Sequence, residues 1–329
     1  MNTKQKILKY LEENRDDFIS GEDMAKKLNI SRTAIWKGVN SLRDQGFVIN
    51  SSTNKGYQID KDCDKISEFG IKHNLSDELK EKDIDIIYYD SIDSTNTEMK
   101  RRLYSEKLNN YTVIVADEQT GGRGRRGRDF ISPKGSGIYF SIVLFPEDNF
   151  DMSSFDLVTV RAAVAVAKSI NEITDKEAKI KWVNDVFVDG KKVCGILSEA
   201  DSDFENRHIK SIIVGIGINF STKEENFGEL KNKAGSINPK GVLRSELCAK
   251  IISNFYDIYY HQSNESVLDY YTKYSNVINQ EVEFELNSKK YSGIAEKFDE
   301  KGNLIVKLDD SNKMTLSSGE ISIRGDFYR

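Results

Sequence analysis

The 329 residues predict an α+β chain of three parts: a helical module over residues 1–60, a mixed-sheet α/β region over 61–275 and a small antiparallel β-barrel over 276–329. Three observations carry this. The first part spaces its apolar residues at helical intervals. The middle alternates strand-length apolar runs with long helical stretches, and the last breaks into short strands joined by polar turns. Net charge is −5, so any nucleic-acid contact must come from a local basic patch. Cys63, Cys194 and Cys248 lack metal spacing and an even disulfide framework, and His73, His208 and His261 form no paired motif. With no signal peptide and no apolar run of about 18 residues, the chain reads as reduced, soluble and cytoplasmic, without a membrane span.

In the first part, Ile7, Leu8 and Leu11 form one helical stripe and Met24, Ala25 and Leu28 a second. A third helix carries Ile35, Val39 and Leu42, with Ser31 as its N-cap. Two short extended runs, Phe47 to Asn50 and Gly56 to Ile59, then flank a turn and read as a hairpin wing. This order resembles the winged helix-turn-helix family of DNA-binding domains. If the third helix enters a major groove, the face opposite its apolar stripe does the reading: Arg32, Thr33, Trp36, Lys37 and Asn40, with Lys55 on the wing. Between residues 31 and 59, Arg32, Lys37, Arg43 and Lys55 stand against Asp44, a local charge of +3 in an acidic protein. An ordinary solvated helical domain, with Trp36 packed on the first helix, is the competing interpretation.

After a charged connecting segment, strands are expected at Ile84–Tyr89, Thr112–Ala116, Ile138–Phe145, Lys179–Val188, Lys192–Glu199 and Ile209–Phe220. Helices are expected over 95–108, 153–173 and 243–261. Beyond 275, Val282 to Leu286, Tyr291 to Phe298, Asn303 to Leu308, Met314 to Leu316 and Ile321 to Ile323 read as the strands of the small barrel.

Gly122 to Arg128 reads Gly-Arg-Gly-Arg-Arg-Gly-Arg, a flexible backbone carrying planar, permanently charged donors suited to phosphate or carboxylate. It formally matches the dinucleotide-binding glycine pattern. The sequence after it reads as strand, however, where that fingerprint needs a helix, and there is no Gly-Lys-Ser/Thr of a P-loop. A solvated or RGG-like charge run is the bland alternative; the stretch is short and lies between strands.

Asp189-Gly190 between two extended runs signals a two-residue hairpin. Pairing then predicts Asp185 opposite Cys194 and Phe187 opposite Lys192, with all four on one face and Asp185 diagonal to Lys192. One carboxylate and one anion-binding lysine thus reach a single ligand, or else form an exposed ion pair of little consequence. Ser94-Thr95-Asn96 opens a helix whose amides either face an anion or are capped by the Thr95/Glu98 capping box, which is the simpler expectation. Gly215 and Gly217 interrupt an apolar strand, as close approach of a flat ligand or another backbone requires.

Taken together, residues 93–98, 122–128, 181–197, 215–219 and 319–324 resemble the biotin protein ligase family. With the winged helix in front, the chain resembles its bifunctional members, which are also biotin-operon repressors. The resemblance implies a C-terminal SH3-like barrel, ATP and biotin as substrates with Mg2+, and transfer through biotinyl-5′-AMP to a lysine of a biotin carboxyl carrier protein of acetyl-CoA or pyruvate carboxylase. Operator DNA and a homodimer are the other implied partners. Arg125, Lys192 and Asp185 are implied catalytic residues. Biotin contacts fall on Ser94, Thr95, Asn96, Gln119, Arg123, Gly124, Arg125, Lys192, Gly215 and Gly217. Nucleotide contacts fall on Arg123, Arg125, Arg126, Arg128, Asn184, Asn219 and Arg324. Val183 replaces a usual proline and Phe130 a frequent tryptophan. A biotin sensor without catalysis and a lipoate-type ligase are the two rival functions.

Overall fold

The computed structural model describes residues 1–147, 150, 154–203, 208–286, 288–309, 312–317, 319 and 321–323. The chain separates into two compact units, one made of Met1–Lys82 with Gly241–Lys250, the other of Asp83–Lys240 with the residues from Ile251 onward.

In the first unit, α1 (Thr3–Glu13), α2 (Gly21–Leu28) and α3 (Arg32–Asp44) pack through the expected stripes, with Ile7, Leu11, Met24, Ile35, Val39 and Leu42 all fully buried. Each start is set by a polar side chain that satisfies orphan amides. Asn2 and Gln5 form a reciprocal capping box, Ser20 accepts from the Asp23 amide at 3.0 Å, and Ser31 accepts from the Ala34 amide at 3.1 Å. Helices α1 and α3 approach closely because Gly38 has no side chain: a Cβ there would lie 2.3 Å from Ile7 Cδ1. Strands β1 (Ile49–Ser52) and β2 (Gly56–Ile59) form the antiparallel wing, Ile49 opposite Ile59. Short helices α4 (Glu68–Asn74) and α5 (Asp77–Glu81) complete the unit before residue 82.

Gly56 is the least replaceable residue of the wing. Its φ is +105°, and a Cβ would sit 1.9 Å from the Ile19 carbonyl oxygen, which accepts from the Tyr57 amide at 2.8 Å. Gly56→Ala combines an unfavourable backbone with disruption of the Ile19–Tyr57 pair, so a loss of about 3 kcal/mol is expected. Thermal unfolding of the full chain, followed beside DNA binding, measures it; an unchanged transition would refute it.

The second unit is built on a seven-stranded mixed sheet in the order β3-β4-β5-β9-β8-β7-β6. Its strands are β3 (Ile86–Tyr89), β4 (Val113–Ala116), β5 (Gly137–Leu144), β6 (Ala178–Lys181), β7 (Asp185–Val188), β8 (Lys191–Asp203) and β9 (His208–Asn219). Only β3 and β4 run parallel, linked by α6 (Thr95–Ser105); every other pair is antiparallel. α7 (Phe155–Ile173) buries Val158, Val160, Ala163, Val166 and Ile170, an apolar surface wide enough to shield the sheet on that side. α8 (Arg244–Tyr260), which contributes to this unit from Ile251 onward, and α9 (Asn264–Lys273) follow.

The expected strand Lys179–Val188 is two strands. β6 and β7 pair antiparallel with Lys181 opposite Asp185, so the chain reverses at Trp182-Val183-Asn184. Ala178 and Ile180 alternate into the core as Val186 and Val188 do, and no glycine or proline marks the reversal. The helix α9 was not among the sequence expectations.

Strands β10 (Glu281–Leu286), β11 (Lys289–Phe298), β12 (Leu304–Leu308), β13 (Lys313–Leu316) and β14 (Ile321–Ile323) form an antiparallel sheet in the order β13-β12-β11-β10-β14. Among the described residues its edges β13 and β14 are not hydrogen-bonded to each other, and the five antiparallel strands are consistent with the small barrel expected. The Trp182 indole donates to the Gly302 carbonyl at 3.0 Å, joining this sheet to the β6–β7 reversal. No helix among the described residues is long and apolar enough to cross a membrane.

Candidate active site

A cavity of about 590 Å3 in the second unit gathers residues from the start of α6, the arginine loop, β7, β8, β9, the segment around Phe227–Ala234 and β14. Its floor follows from sheet register. Gly195 on β8 stands opposite Gly217 on β9, leaving a patch of backbone without side chains. The Phe130 ring lies on that patch: a Cβ at Gly217 would be 2.6 Å from it and one at Gly195 3.3 Å. Gly215 instead admits Asn96, whose Oδ1 lies 2.2 Å from where a Cβ would stand. The glycine strand therefore receives two of the protein's own side chains, while both glycines still line the cavity.

Above the floor, the arginine loop is a tight hairpin. Arg123 bridges to Asp129, and the Gly124 amide donates to the Arg128 carbonyl at 2.7 Å. Arg126 at its tip adopts a left-handed φ of 56°. Arg125 reaches inward and donates to Asn184 Oδ1 at 3.0 Å; Asn184 in turn is held by both backbone groups of Ile196. Burial raises the Asp156 carboxyl above its ordinary range, against the pull of the Arg125 charge.

Lys192 and Asp185 meet, by a different route from the one expected. Val188 pairs with Lys191 and Phe187 with Lys192, but a bulge then shifts the register, so Asp185 faces Gly195 and Cys194 faces Val186. The extra residue, Val193, turns Cys194 onto the opposite face, where it is fully buried and burial drives its thiol pKa far up. Lys192 Nζ nevertheless lies 2.6 Å from Asp185 Oδ1, with the side chains 36% and 23% exposed. The Lys192 backbone is fixed by the Lys233 carbonyl and the Gly235 amide, both at 2.9 Å.

The expected capping box at α6 does not form. Ser94 is the N-cap without a side-chain bond to the helix, and Glu98 pairs with Arg101, Arg102 and Tyr89. The Thr95 amide donates to Gln119 Oε1 at 2.9 Å, and Gln119 Nε2 donates to Ser132 at 3.0 Å. Ser141 Oγ lies 2.7 Å from Thr95 Oγ1 and 2.5 Å from Asn96 Oδ1. Asn96 Nδ2 donates to Glu199 Oε2 at 2.9 Å, and Lys100 pairs with Glu199 at 2.7 Å.

The cavity brings together all ten residues expected at biotin, along with Asp185, Arg128, Asn184 and Asn219. Asn219 is 4% exposed, and among the described residues its Oδ1 has no hydrogen-bond partner. Arg126 is not part of the lining, because the left-handed turn carries it to the exposed tip of the loop. Arg324 lies outside the described residues. Sequence reasoning missed Trp182, Phe227, Leu230, Lys233 and Ala234, which line the cavity, and Ser132, Ser141 and Glu199 behind it. Among the described residues no group of three or more His, Cys, Asp or Glu could hold a metal ion.

On the first unit, Arg32, Thr33, Lys37 and Lys55 are exposed, and so is Trp36 at 57%, which removes the expectation that it packs on α1. Asn40 is half-buried and accepts from Arg43 at 3.2 Å, while Arg43 also donates to the Ile49 carbonyl and Ser51 on the wing. The exposed face of α3 and the wing turn are therefore presented together.

Cations, a glycine floor and an amide-rich end lie around one cavity, an arrangement suited to a small ligand carrying a carboxylate or phosphate. The family models agree. Residues 88–219 match the biotin/lipoate A/B protein ligase family, 3–58 an HTH domain and 277–324 the biotin protein ligase C-terminal domain. The bifunctional ligase/repressor BirA of Bacillus subtilis is 34% identical over 71% of this chain and 70% of its own length. That of Escherichia coli K12 is 28% identical over 94% of both. The biotin protein ligase of Aquifex aeolicus, solved with biotin and ATP, superposes with a TM-score of 0.62 at 29% identity, covering 74% of this chain and 99% of that one. The chain belongs to the biotin protein ligase family, with the helix-turn-helix domain of its ligase/repressor members.

Proposed function

We infer that this protein is an ATP-dependent biotin ligase and a DNA-binding repressor, and that the cavity of the second unit carries both half-reactions of the ligase. The observation that supports it best is the convergence of Lys192, Asp185 and the arginine loop on one glycine-floored cavity. In the first half-reaction a biotin carboxylate oxygen attacks the α-phosphorus of ATP and pyrophosphate leaves. In the second, the amine of an acceptor lysine attacks the acyl carbon of biotinyl-5′-AMP, loses a proton and expels AMP.

Ser94, Thr95, Asn96 and Gln119 take the ureido end of biotin, and Gly215 and Gly217 flank its rings. Lys192 holds the carboxylate and then the charge developing beside the phosphate. Arg123, Arg125 and Arg128 face the phosphates, with Asn184 and Asn219 on the nucleotide side; Asn219 Oδ1, without a partner among the described residues, suits an exocyclic or hydroxyl donor. Mg2+ enters with the ATP phosphates and not through a protein cage. An exposed lysine has a pKa of about 10.4, so Asp185, once Lys192 turns to substrate, orients and helps deprotonate the acceptor amine. Residues 1–60 read operator DNA through Arg32, Thr33, Trp36, Lys37, Asn40 and Lys55. Residues 61–275 bind biotin and ATP, and 276–329 form the C-terminal domain. The acceptor is the carrier domain of a biotin-dependent carboxylase, and a homodimer matches two operator half-sites.

Incubation with biotin, Mg2+ and α-labelled ATP, with and without a carrier domain, is expected to give labelled biotinyl-AMP alone and biotinylated carrier when the acceptor is present. Adenylate without transfer would leave a sensor, and neither product would overturn the ligase. Gel shifts on biotin-gene promoter DNA are expected to strengthen when biotin and ATP are added; no change would remove adenylate-dependent repression.

A further inference from the structure

Asn96 sits in the amide-rich end of the cavity with its orientation decided by its neighbours. Its Nδ2 donates to the Leu197 carbonyl at 3.3 Å and to Glu199 Oε2 at 2.9 Å, which uses both amide protons. Its Oδ1 lies over Gly215, 2.5 Å from the Ser141 hydroxyl, and keeps one acceptor site. Reversing the amide would set Oδ1 against the Leu197 carbonyl and the Glu199 carboxylate, two acceptors facing an acceptor. Glu199 itself does not line the cavity. It is held by Lys100 at 2.7 Å, and these partners, with the Arg123 charge, outweigh burial and keep its carboxyl below the ordinary range.

Beside it, Gln119 has the opposite polarity. Its Oε1 accepts from the Thr95 amide and lies 3.2 Å from the Thr95 hydroxyl, while Nε2 donates to Ser132 and retains one proton. The pocket therefore offers a fixed acceptor at Asn96 and a fixed donor at Gln119. A cyclic urea presents the complementary pattern, N–H donors flanking a carbonyl acceptor.

We propose that Glu199 is a positioning residue for biotin: by accepting from Asn96 Nδ2 it locks the carboxamide with oxygen toward the ureido N–H, so that this subsite reads the polarity of the urea. The proposal rests on the biotin-ligase reading and adds a residue that acts only through Asn96. A purely structural carboxylate would lower stability, turnover and ATP use together, whereas this one acts on biotin affinity.

The test is calorimetric binding of biotin to the full-length chain, with steady-state kinetics on the same variants. Glu199→Ala is expected to raise the Kd for biotin about tenfold, the equivalent of one lost hydrogen bond, while kcat and the KM for ATP stay within about twofold. Glu199→Gln keeps an acceptor for Asn96 and is expected to stay within about threefold of the unaltered chain. In an Asn96→Ala background, Glu199→Ala should weaken binding no further; additive losses would overturn the proposal. If Glu199→Ala does not fold, a polarity swap decides. Asn96→Asp sets two carboxylates together and weakens biotin, and adding Glu199→Gln, which can donate to Asp, should recover affinity; no recovery overturns the proposal. Unaltered biotin binding in a folded Glu199→Ala overturns the positioning role alone. Failure of the unaltered chain to bind biotin would overturn the ligase reading beneath it.

Discussion

Lys192→Gln is expected to lower biotin-dependent ATP–pyrophosphate exchange by about two to three orders of magnitude, the usual consequence of removing a fixed charge from a desolvated reaction centre. The geometry makes the loss larger than that of a surface lysine. The backbone of Lys192 is fixed on both sides, by the Lys233 carbonyl and the Gly235 amide, so its ammonium is presented from a rigid strand. The same substitution strips the Asp185 carboxylate of its partner at 2.6 Å and leaves a bare negative charge facing two anionic substrates. Lys192→Gln combined with Asp185→Asn is therefore expected to recover biotin and ATP binding relative to Lys192→Gln alone, without recovering exchange. Lys192→Arg keeps the charge but exchanges a compact ammonium for a planar fork and should fall between the two. Exchange reduced less than tenfold in Lys192→Gln would remove this lysine from the chemistry.

The three helices and wing of the first unit were legible because Ile7, Leu11, Met24, Ile35, Val39 and Leu42 recur at helical spacing and are fully buried. Ser31 also caps where its residue type said it would. The site was legible at the level of which residues converge, and less so in how. Asp189-Gly190 fixed the first two pairs of its hairpin correctly, but nothing in the sequence announces that Val193 bulges, so the pairing of Asp185 moved to Gly195. Lys192 still reaches Asp185 because its long side chain spans the one-residue offset. Gly215 and Gly217 signalled close approach, yet a missing Cβ does not say what approaches; Asn96 and Phe130 do. The capping box failed because Arg101, Arg102 and Tyr89 compete for Glu98, a tertiary contest that local spacing cannot weigh. Phe227, Leu230, Lys233 and Ala234 reach the cavity from a segment with no periodicity to read.

Arg125→Gly is expected to leave adenylate formation measurable while raising release of biotinyl-AMP into solution by about one to two orders of magnitude, from loss of a charge-assisted contact. The loop holds its own shape through the Gly124–Arg128 and Gly122–Phe130 backbone bonds, which the substitution does not touch. What disappears is the bond from Arg125 to Asn184, and Asn184 is anchored to Ile196 on β8, so the substitution removes a side-chain hydrogen bond that ties the middle of the loop to the rigid sheet. An acyl-adenylate survives only where water is excluded, and a loop free to open exposes it. Without a carrier domain the variant should accumulate free adenylate and, at high concentration, biotinylate exposed lysines of a bystander protein. Asn184→Ala removes the same tether from the other side without removing the cation. It should reproduce the leak with a smaller loss of adenylation, which separates the loop's closing role from the charge of Arg125 at the phosphate. A leak in Arg125→Gly with none in Asn184→Ala would assign retention to the charge; no leak in either would place it with Phe130 on the glycine floor.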